Sequence, residues 1–591
     1  MTPHDSPVDR PITPVNDWRP VVPPTLGGWT PTRSLCVVMP AHNPKHLATV
    51  LASLAAQTYP TELTEVVVVD DGSEPAVVLP DVRPERTRVV RVTEGWGRAN
   101  ALATGAAASD SEILMWLDDD MLVFRDHLEA HARWHHVVDH FVVLGDKRFV
   151  EPSEVGIHPL GAAPDGSAAL TPEQVRAAVA NGAIADLWDW ETSDPHTWVE
   201  EIWAQTDDLA TAGTGAFVSL VGATVSMTRA LHDAAGGPMR HLRLGEDTVF
   251  GHQVAEAGAV LLPDHAARSW HLGLSHAMRH ADQVKAHNQP LFAHLVPSLR
   301  PRRVQHGRSW AVPFVEVVVP SDAPHLQVQA CVDSLLDQDM DDHVVVLVGE
   351  WSLLDEGRVR PLADEHFDLR WLQRMYRDEA RVELREPTDP VVTGFSRSPL
   401  RLRLTGTELA PARATLRLLV TDLDRTQQGL RVLTGDDGEV VARLERTAAF
   451  ARTQWYDVPT GPEGAGQRDE MVAASHGSST RPATDAGFVP AERRLRPRFG
   501  VWREAAMDPD ASWRRLQRQM ARNAPVLTPE PGAEPGAEPG AEPGAEPGAD
   551  EVSTTPARPA ARPEPASPTT PVARESRMGR RLGRVVRRLR D

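Results

Sequence analysis

The chain has little of what would tie it to an oxidising compartment, a membrane span or a nucleic acid. Only two cysteines occur in 591 residues, which rules out a disulfide framework. Cys36 falls in an apolar run and Cys331 on an expected helix, so both read as reduced, buried thiols. No stretch approaches the roughly twenty apolar residues of a membrane-spanning helix, and the proline-rich amino terminus has no signal-peptide core. These absences lead to an expected cytoplasmic location. A basic body is also missing, because the net charge is −20, and phosphate backbones are normally bound by positive surface. No nucleic-acid partner is expected.

What is present is a series of apolar runs that end abruptly in acid or proline. Leu35-Cys36-Val37-Val38-Met39-Pro40 reads as a buried strand, and His46 to Gln57 follows with Leu47, Val50, Leu51 and Leu54 at helical spacing. Glu65-Val66-Val67-Val68-Val69 is a second strand, closed by Asp70-Asp71-Gly72-Ser73. Two parallel strands joined by a crossover helix bring their carboxyl ends to one edge, where open α/β sheets bind nucleotides. At that edge Asp70 and Asp71 can accept hydrogen bonds from a base or ribose, or simply form a polar turn. Ile113 to Leu117 makes a third strand, and Asp118-Asp119-Asp120 follows at once. Three carboxylates there can hold a divalent cation against a diphosphate, or form a solvated turn.

Two further motifs lie outside the strands. Gly95-Trp96-Gly97-Arg98 opens a small-residue helix, so Arg98 either faces an anion at the helix start or is merely solvated. Gly245-Glu246-Asp247 opens another helix, and its carboxylates serve either as a general base or as capping groups. Between them, Trp188, Trp190, Trp198 and Trp203 stand among acidic residues. They are read equally well as a sugar-stacking wall or as core anchors.

In this order the motifs resemble the inverting family 2 glycosyltransferases. Val37 to Asn43 resembles the family's opening strand and proline, at Pro40; Leu51, Ser53, Leu54 and Gln57 match its first helix; Val68 to Ser73 match Val-Val-Asp-Asp-Gly-Ser. Gly97 to Leu102 resembles Gly-Lys-Ala-x-Ala-Leu with Arg98 in place of lysine. Asp118 and Asp120 fall on Asp-x-Asp, Gly245 to Asp247 on Gly-Glu-Asp, and His271 on the later metal-side histidine. His42 stands where the family usually has Tyr or Phe. The resemblance spans residues 34 to 273 and implies an α/β, GT-A fold with a Rossmann-like mixed sheet. It also implies a nucleotide-sugar donor and a hexosyl or N-acetylhexosaminyl transfer, with Pro40, Asp70, Asp71, Arg98, Asp118 and Asp119 on the donor. Asp120 and His271 would hold Mg²⁺ or Mn²⁺, and Asp247, with Glu246 as the alternative, would take the acceptor proton. A cell-envelope glycan or glycolipid is the acceptor the resemblance suggests. The competing class is an inactive GT-A shell that binds glycan or acts as a scaffold.

The later chain repeats the beginning. Val317-Val318-Val319-Pro320 echoes Val37 to Pro40, Ser334, Leu335 and Gln338 echo Ser53, Leu54 and Gln57, and Val344 to Leu347 is aligned with Val66 to Val69. Val348-Gly349-Glu350 then stands at Asp70 to Gly72. Leu402 to Thr407 occupies the place of the acidic triplet, ahead of an expected helix over 412–423. The second copy is therefore expected to be a degenerate GT-A-like domain without nucleotide or metal groups. The expected division is a proline-rich extension over 1–30, a catalytic domain over 31–300, an accessory domain over 310–500, a linker over 525–573 and a tail over 574–591. Five tandem Glu-Pro-Gly-Ala repeats make the linker unable to bury enough surface to fold. In the tail, Met578, Leu582, Val585, Val586 and Leu589 share one helical face among seven arginines. That pattern suits peripheral contact with an anionic membrane or a basic tail folded onto the acidic body.

Overall fold

In the computed structural model the described residues are 11–494 apart from 153–168, 301–308, 356, 358–359, 361–362 and 460. The expectations for the linker and the tail lie outside them. All described residues fall in one compact unit.

The first sheet contains β1 (Leu35–Ala41), β2 (Thr64–Asp70), β3 (Thr87–Arg91), β4 (Ile113–Leu117), β5 (Met121–Val123), β6 (Phe141–Val150), β7 (Asp194–Pro195), β8 (Thr224–Thr228) and β9 (Val260–Leu272). Its order is β3-β2-β1-β4-β8-β6-β9-β5, with β7 on β6. The four strands on the β3 side run parallel, and β8 then pairs antiparallel with both β4 and β6. This mixed sheet is the α/β architecture that the resemblance implies. The helices that accompany it include α1 (Leu47–Leu54), α2 (Arg98–Ala107), α3 (His127–His135), α4 (Pro172–Asn181), α5 (Thr197–Gln205), α6 (Arg229–Ala234) and α7 (Glu246–Glu256). The first of them is shorter than the apolar spacing suggested.

Continuous apolar runs are what parallel strands covered on both faces require. Alternate residues then divide between two cores. Cys36, Val38, Val67, Val69 and Trp116 join one with α2 and α7 residues, and Leu35, Val37, Met39, Val66 and Val68 join the other with α1 and α3 residues. Because β5 turns back to pair with β9, Met121 lies opposite His271. The acidic triplet thus occupies the short turn between β4 and β5.

The second sheet is built from β10 (Val315–Pro320), β11 (His343–Val348), β12 (Val382–Arg385), β13 (Leu400–Leu404), β15 (Leu430–Thr434), β16 (Val440–Arg446) and β17 (Ser478–Pro482), while β14 (Leu409–Pro411) pairs with β18 (Phe488–Pro490). Its order is β12-β11-β10-β13-β16-β15-β17. The helix expected over 412–423 begins later, at Thr415–Thr426. Register also moves one alignment. Val37 pairs with Val66 and Val317 with Val345, so Val345 corresponds to Val66, and Gly349 and Glu350 stand where Asp70 and Asp71 do.

The amino-terminal segment joins both halves. Asn16 Nδ2 donates to the carbonyls of Leu209 and Leu261, the Val15 N–H donates to the Ser475 carbonyl, and Val21 is buried. At the same seam Arg452, of the second half, is fully buried and has no carboxylate partner among the described residues. Its guanidinium donates to the carbonyls of Gly258, Ala259, Thr13 and Val15.

Candidate active site

Four segments converge at the carboxyl edge of the parallel strands: the end of β2, the start of α2, the β4–β5 turn and the start of α7. Gly97 caps α2 with a φ of +95°, and its N–H donates to Asp71 Oδ2 at 2.7 Å. A positive φ suits glycine, since a side chain there is strained. Gly245, φ +80°, plays the same part ahead of Glu246 and Asp247.

Arg98 connects the segments. Its Nε donates to Asp118 Oδ1 at 2.9 Å, Nη1 to Asp247 Oδ1 at 2.7 Å and Glu246 Oε1 at 3.4 Å, and Nη2 to the Gly222 carbonyl at 2.7 Å. Arg98, expected at a donor phosphate, gives four of its five donors to protein oxygens and bridges the carboxylates. Asp247 also accepts the Gly222 N–H at 3.0 Å. Gly222 was not picked out by the sequence. A Cβ there would lie 2.4 Å from Asp247 Oδ1 and 2.6 Å from Arg98 Nη2, so a side chain would push both ends of this ion pair aside. An isolated glycine ahead of an apolar run carries no sequence signal for such a role.

The electrostatics are those of acids crowded into a dry site. Burial, then the neighbouring carboxylates, pushes Asp119 up to about 7 and Asp120 up to about 8, and burial raises Asp118. Glu246 is lifted to about 7 by burial and by Asp247. Charge brought together in a low dielectric favours the neutral acids unless a cation intervenes.

His271 Nε2 lies 3.8 Å from Asp120 Oδ1, and burial holds the ring neutral by lowering it to about 3. Phe149 packs against the ring at 4.6 Å between centroids. Asp120 Oδ1 and His271 Nδ1 are buried without a hydrogen-bond partner. Among the described residues no group of three His, Cys, Asp or Glu side chains is disposed to hold an ion. The pair Asp120 and neutral His271 nevertheless fits a hard cation that completes its shell with substrate oxygens and water, as Mg²⁺ does.

Other expected positions are less directly involved. Asp70 is buried and accepts the N–H groups of Ser73 at 2.7 Å and Val77 at 3.3 Å, closing its own loop. Asp71 keeps one buried oxygen, Oδ1, without a partner. Pro40 is the penultimate residue of β1, opposite Val69, and marks the edge without a polar group. The tryptophans resolve toward packing. Trp188 and Trp190 lie against Trp270 at 5.6 and 5.2 Å, and Trp203 is buried in the main core.

Residues 36–176 match the family model for glycosyl transferase family 2. The matched stretch carries β1 to β6 and the acidic triplet. No curated protein matches the chain. Among solved structures, S. aureus TarS 1-349 is similar with a TM-score of 0.26 and 15% identity, over 40% of this chain and 60% of that one. The chain thus spans about 60% of TarS 1-349. The mannosyltransferase PcManGT from Pyrobaculum calidifontis, in complex with GDP-Man and Mn²⁺, is similar with a TM-score of 0.27 and 18% identity, over 46% and 72%. TarS 1-349 in complex with UDP-GlcNAc gives 0.27 and 16%, over 41% and 59%.

Proposed function

We propose that the chain is an inverting glycosyltransferase that moves a hexosyl or N-acetylhexosaminyl group from a nucleoside-diphosphate donor, UDP-sugar foremost, to a hydroxyl of a cell-envelope glycan or glycolipid. The observation that carries this reading is Arg98, which ties Asp118 at the end of β4 to Asp247 at the start of α7 through bonds of 2.9 and 2.7 Å. It joins the acidic turn of the matched domain to the carboxylate suited to take the acceptor proton.

In this reading the acceptor oxygen bonds to the anomeric carbon as the bond from that carbon to the phosphate oxygen breaks. The electron pair leaves on the nucleoside diphosphate, and the acceptor proton passes to Asp247. Attack opposite the leaving group inverts the anomeric configuration. Asp247 is held for this by Arg98 and the Gly222 N–H, and Glu246 beside it is the alternative base. Asp120 and His271 would hold a divalent cation, which would supply Lewis-acid neutralisation of the diphosphate. Asp71, with its unpartnered oxygen, and Asp119 are assigned to the donor. The second sheet is assigned the role of a degenerate copy that braces the first, and the location is assigned to the cytoplasm. Among the described residues no helix is long and apolar enough to cross a membrane.

The test is donor hydrolysis and binding over UDP-, GDP- and dTDP-sugars, with and without Mn²⁺ or Mg²⁺, on wild type and Asp247→Asn. Turnover of one donor by wild type, with Asp247→Asn binding it normally but turning it over at least about a hundredfold more slowly, supports the assignment. Near-wild-type turnover in the variant removes Asp247 as the base. No donor bound under any condition favours the inactive scaffold.

A further inference from the structure

The chain has only three lysines, Lys45, Lys147 and Lys285, among 62 basic side chains. Lys147 is the buried one, at 5% exposure. It lies on β6, opposite Ser269 of β9. Successive strand residues point to opposite faces, so Lys147 shares its face with Phe149. The Phe149 ring packs on His271 at 4.6 Å and on His196 at 5.4 Å between centroids. The Lys147 stem therefore shares the face of the metal-side histidine, and its charge acts on Asp146 first, then on Asp118, Asp247 and Glu200, and on His196 and His271.

No hydrogen bond or ion pair to the Lys147 ammonium exists among the described residues, and its nitrogen is not among the sealed polar atoms that lack partners. The side chain is buried, yet its nitrogen is not completely sealed. An ammonium taken out of water with no partner is costly, and buried lysines are ordinarily paired. Arg98, another cation of this edge, is bonded to Asp118, Glu246, Asp247 and Gly222. Arg98 is thus bound within the fold, whereas Lys147 stands among carboxylates without a direct bond to any of them among the described residues.

We propose that Lys147 binds the diphosphate of the sugar donor, with its ammonium on the phosphate oxygens that carry away the charge when the sugar departs. The inference rests on the proposed glycosyl transfer. A lysine suits the task because it is a compact point charge on a flexible stem, with three donors free to follow the phosphate as charge builds on it. Arginine elsewhere in this chain makes fixed, forked contacts to carboxylates, as Arg98 and Arg443 do.

The test compares Lys147→Met and Lys147→Arg with wild type, using the full chain. Titration calorimetry measures binding of UDP, GDP and dTDP and of the corresponding nucleosides, and the melting temperature is read alongside. In Lys147→Met the Kd for the accepted nucleoside diphosphate should rise about 10- to 100-fold, the value of a charge-assisted contact. The nucleoside Kd should stay within about twofold, Lys147→Arg should recover most of the loss, and the melting temperature should hold or rise. Diphosphate affinity within twofold of wild type in Lys147→Met overturns the inference while leaving glycosyl transfer standing. Equal losses for nucleoside and diphosphate, or a marked fall in melting temperature, overturn it in favour of a structural lysine. If wild type binds none of the three diphosphates, the glycosyl-transfer reading falls and this inference falls with it.

Discussion

The two sheets run through the same succession of pairings. From β3 to β9 the first goes parallel three times, antiparallel twice and parallel once; from β12 to β17 the second does the same. Even the small return strand has its counterpart, with β5 on β9 and β14 on β18. They part company at the carboxyl edge. Asp118-Asp119-Asp120 follows β4, whereas Thr405-Gly406-Thr407 follows β13, and Thr405 and Thr407 are satisfied by Val440 and Gln327. The helix before β9 starts with Glu246 and Asp247, and the helix before β17 starts with Ala465 and Gly466. Topology is specified by the apolar alternation inside the sheet, which both halves keep. Chemistry depends on a handful of edge residues that leave the sheet intact when they change.

The sharpest way to break this comparison is to exchange the fates of matched residues. Asp120→Ala should lower metal-stimulated donor turnover on the order of a hundredfold or more, by removing one of two candidate cation ligands. Thr407→Ala, at the corresponding place in the second sheet, should leave turnover within about twofold. Steady-state kinetics on the donor that wild type accepts would decide. A comparable loss in both variants would mean that the second edge also handles substrate.

The next largest effect lies where the halves meet. Arg452→Met strips donors from four buried carbonyls at the seam, at a cost on the order of 4 kcal/mol. The cost should appear in urea unfolding as a separation into two transitions, because the halves would then melt without each other. Gly258→Ala should act similarly, since φ is +90° and a Cβ would lie 2.5 Å from the Arg452 backbone nitrogen. A single unshifted transition in both variants would show that the halves are coupled elsewhere.

Acid should weaken both halves, the first more strongly, for the second also buries His343, lowered to about 4, and His476. Along α3 of the first half, His127 hydrogen-bonds Thr224, His131 hydrogen-bonds Thr224 and Ser226, and His135 hydrogen-bonds Ser226. Burial lowers His127 to about 4 and His135 to about 3. A histidine with a depressed folded pKa leaves stability whole above its unfolded value near 6.5 and withdraws it as pH falls through the folded value. His127 alone should remove on the order of 3 kcal/mol by about pH 4. His135→Leu should reduce the slope of unfolding free energy against pH, between about 6.5 and 4, by roughly one proton. An unchanged slope would mean that another group takes up those protons.

Much of this organisation was legible because it rests on local apolar patterning. Val66 to Val69 and Ile113 to Leu117 announce strands, the abrupt acids after them announce an edge, and Val317 to Pro320 announces the repeat. Contacts between distant segments were not legible. Arg98 reads as a cation at a helix start, and nothing near it in sequence says that Asp118, Glu246 and Asp247 will surround it. Asp70 looks like its neighbour Asp71, but the turn to Val77 absorbs its carboxylate. Lys147 sits in an ordinary polar stretch, Gly145 to Arg148, and only the burial of β6 singles it out. The one-residue slip between Val344 and Val345 shows the same limit, because a run of valines fits either register until the partner strand fixes it.

The smallest expected effect concerns how α2 reaches the crevice. In the first half this helix lies so close to the sheet that a Cβ on Gly105 would fall 2.3 Å from Val38 Cγ1 and 2.8 Å from Val69 Cγ2. The second half has only the four-residue helix Pro390–Thr393 between β12 and β13, and no equivalent of Arg98 at its edge. Gly105→Ala gains up to about 1 kcal/mol of helix propensity but overpacks two core valines, at about 1–3 kcal/mol. A net loss of about 1–2 kcal/mol should follow. Because α2 would have to lift, Arg98 would be drawn from Asp118 and Asp247, so donor turnover should fall by more than the change in stability accounts for. If Gly105→Ala melted at the wild-type temperature and kept full turnover, close packing of α2 would not be what positions Arg98. The difference between the two edges would then reside in the carboxylates alone.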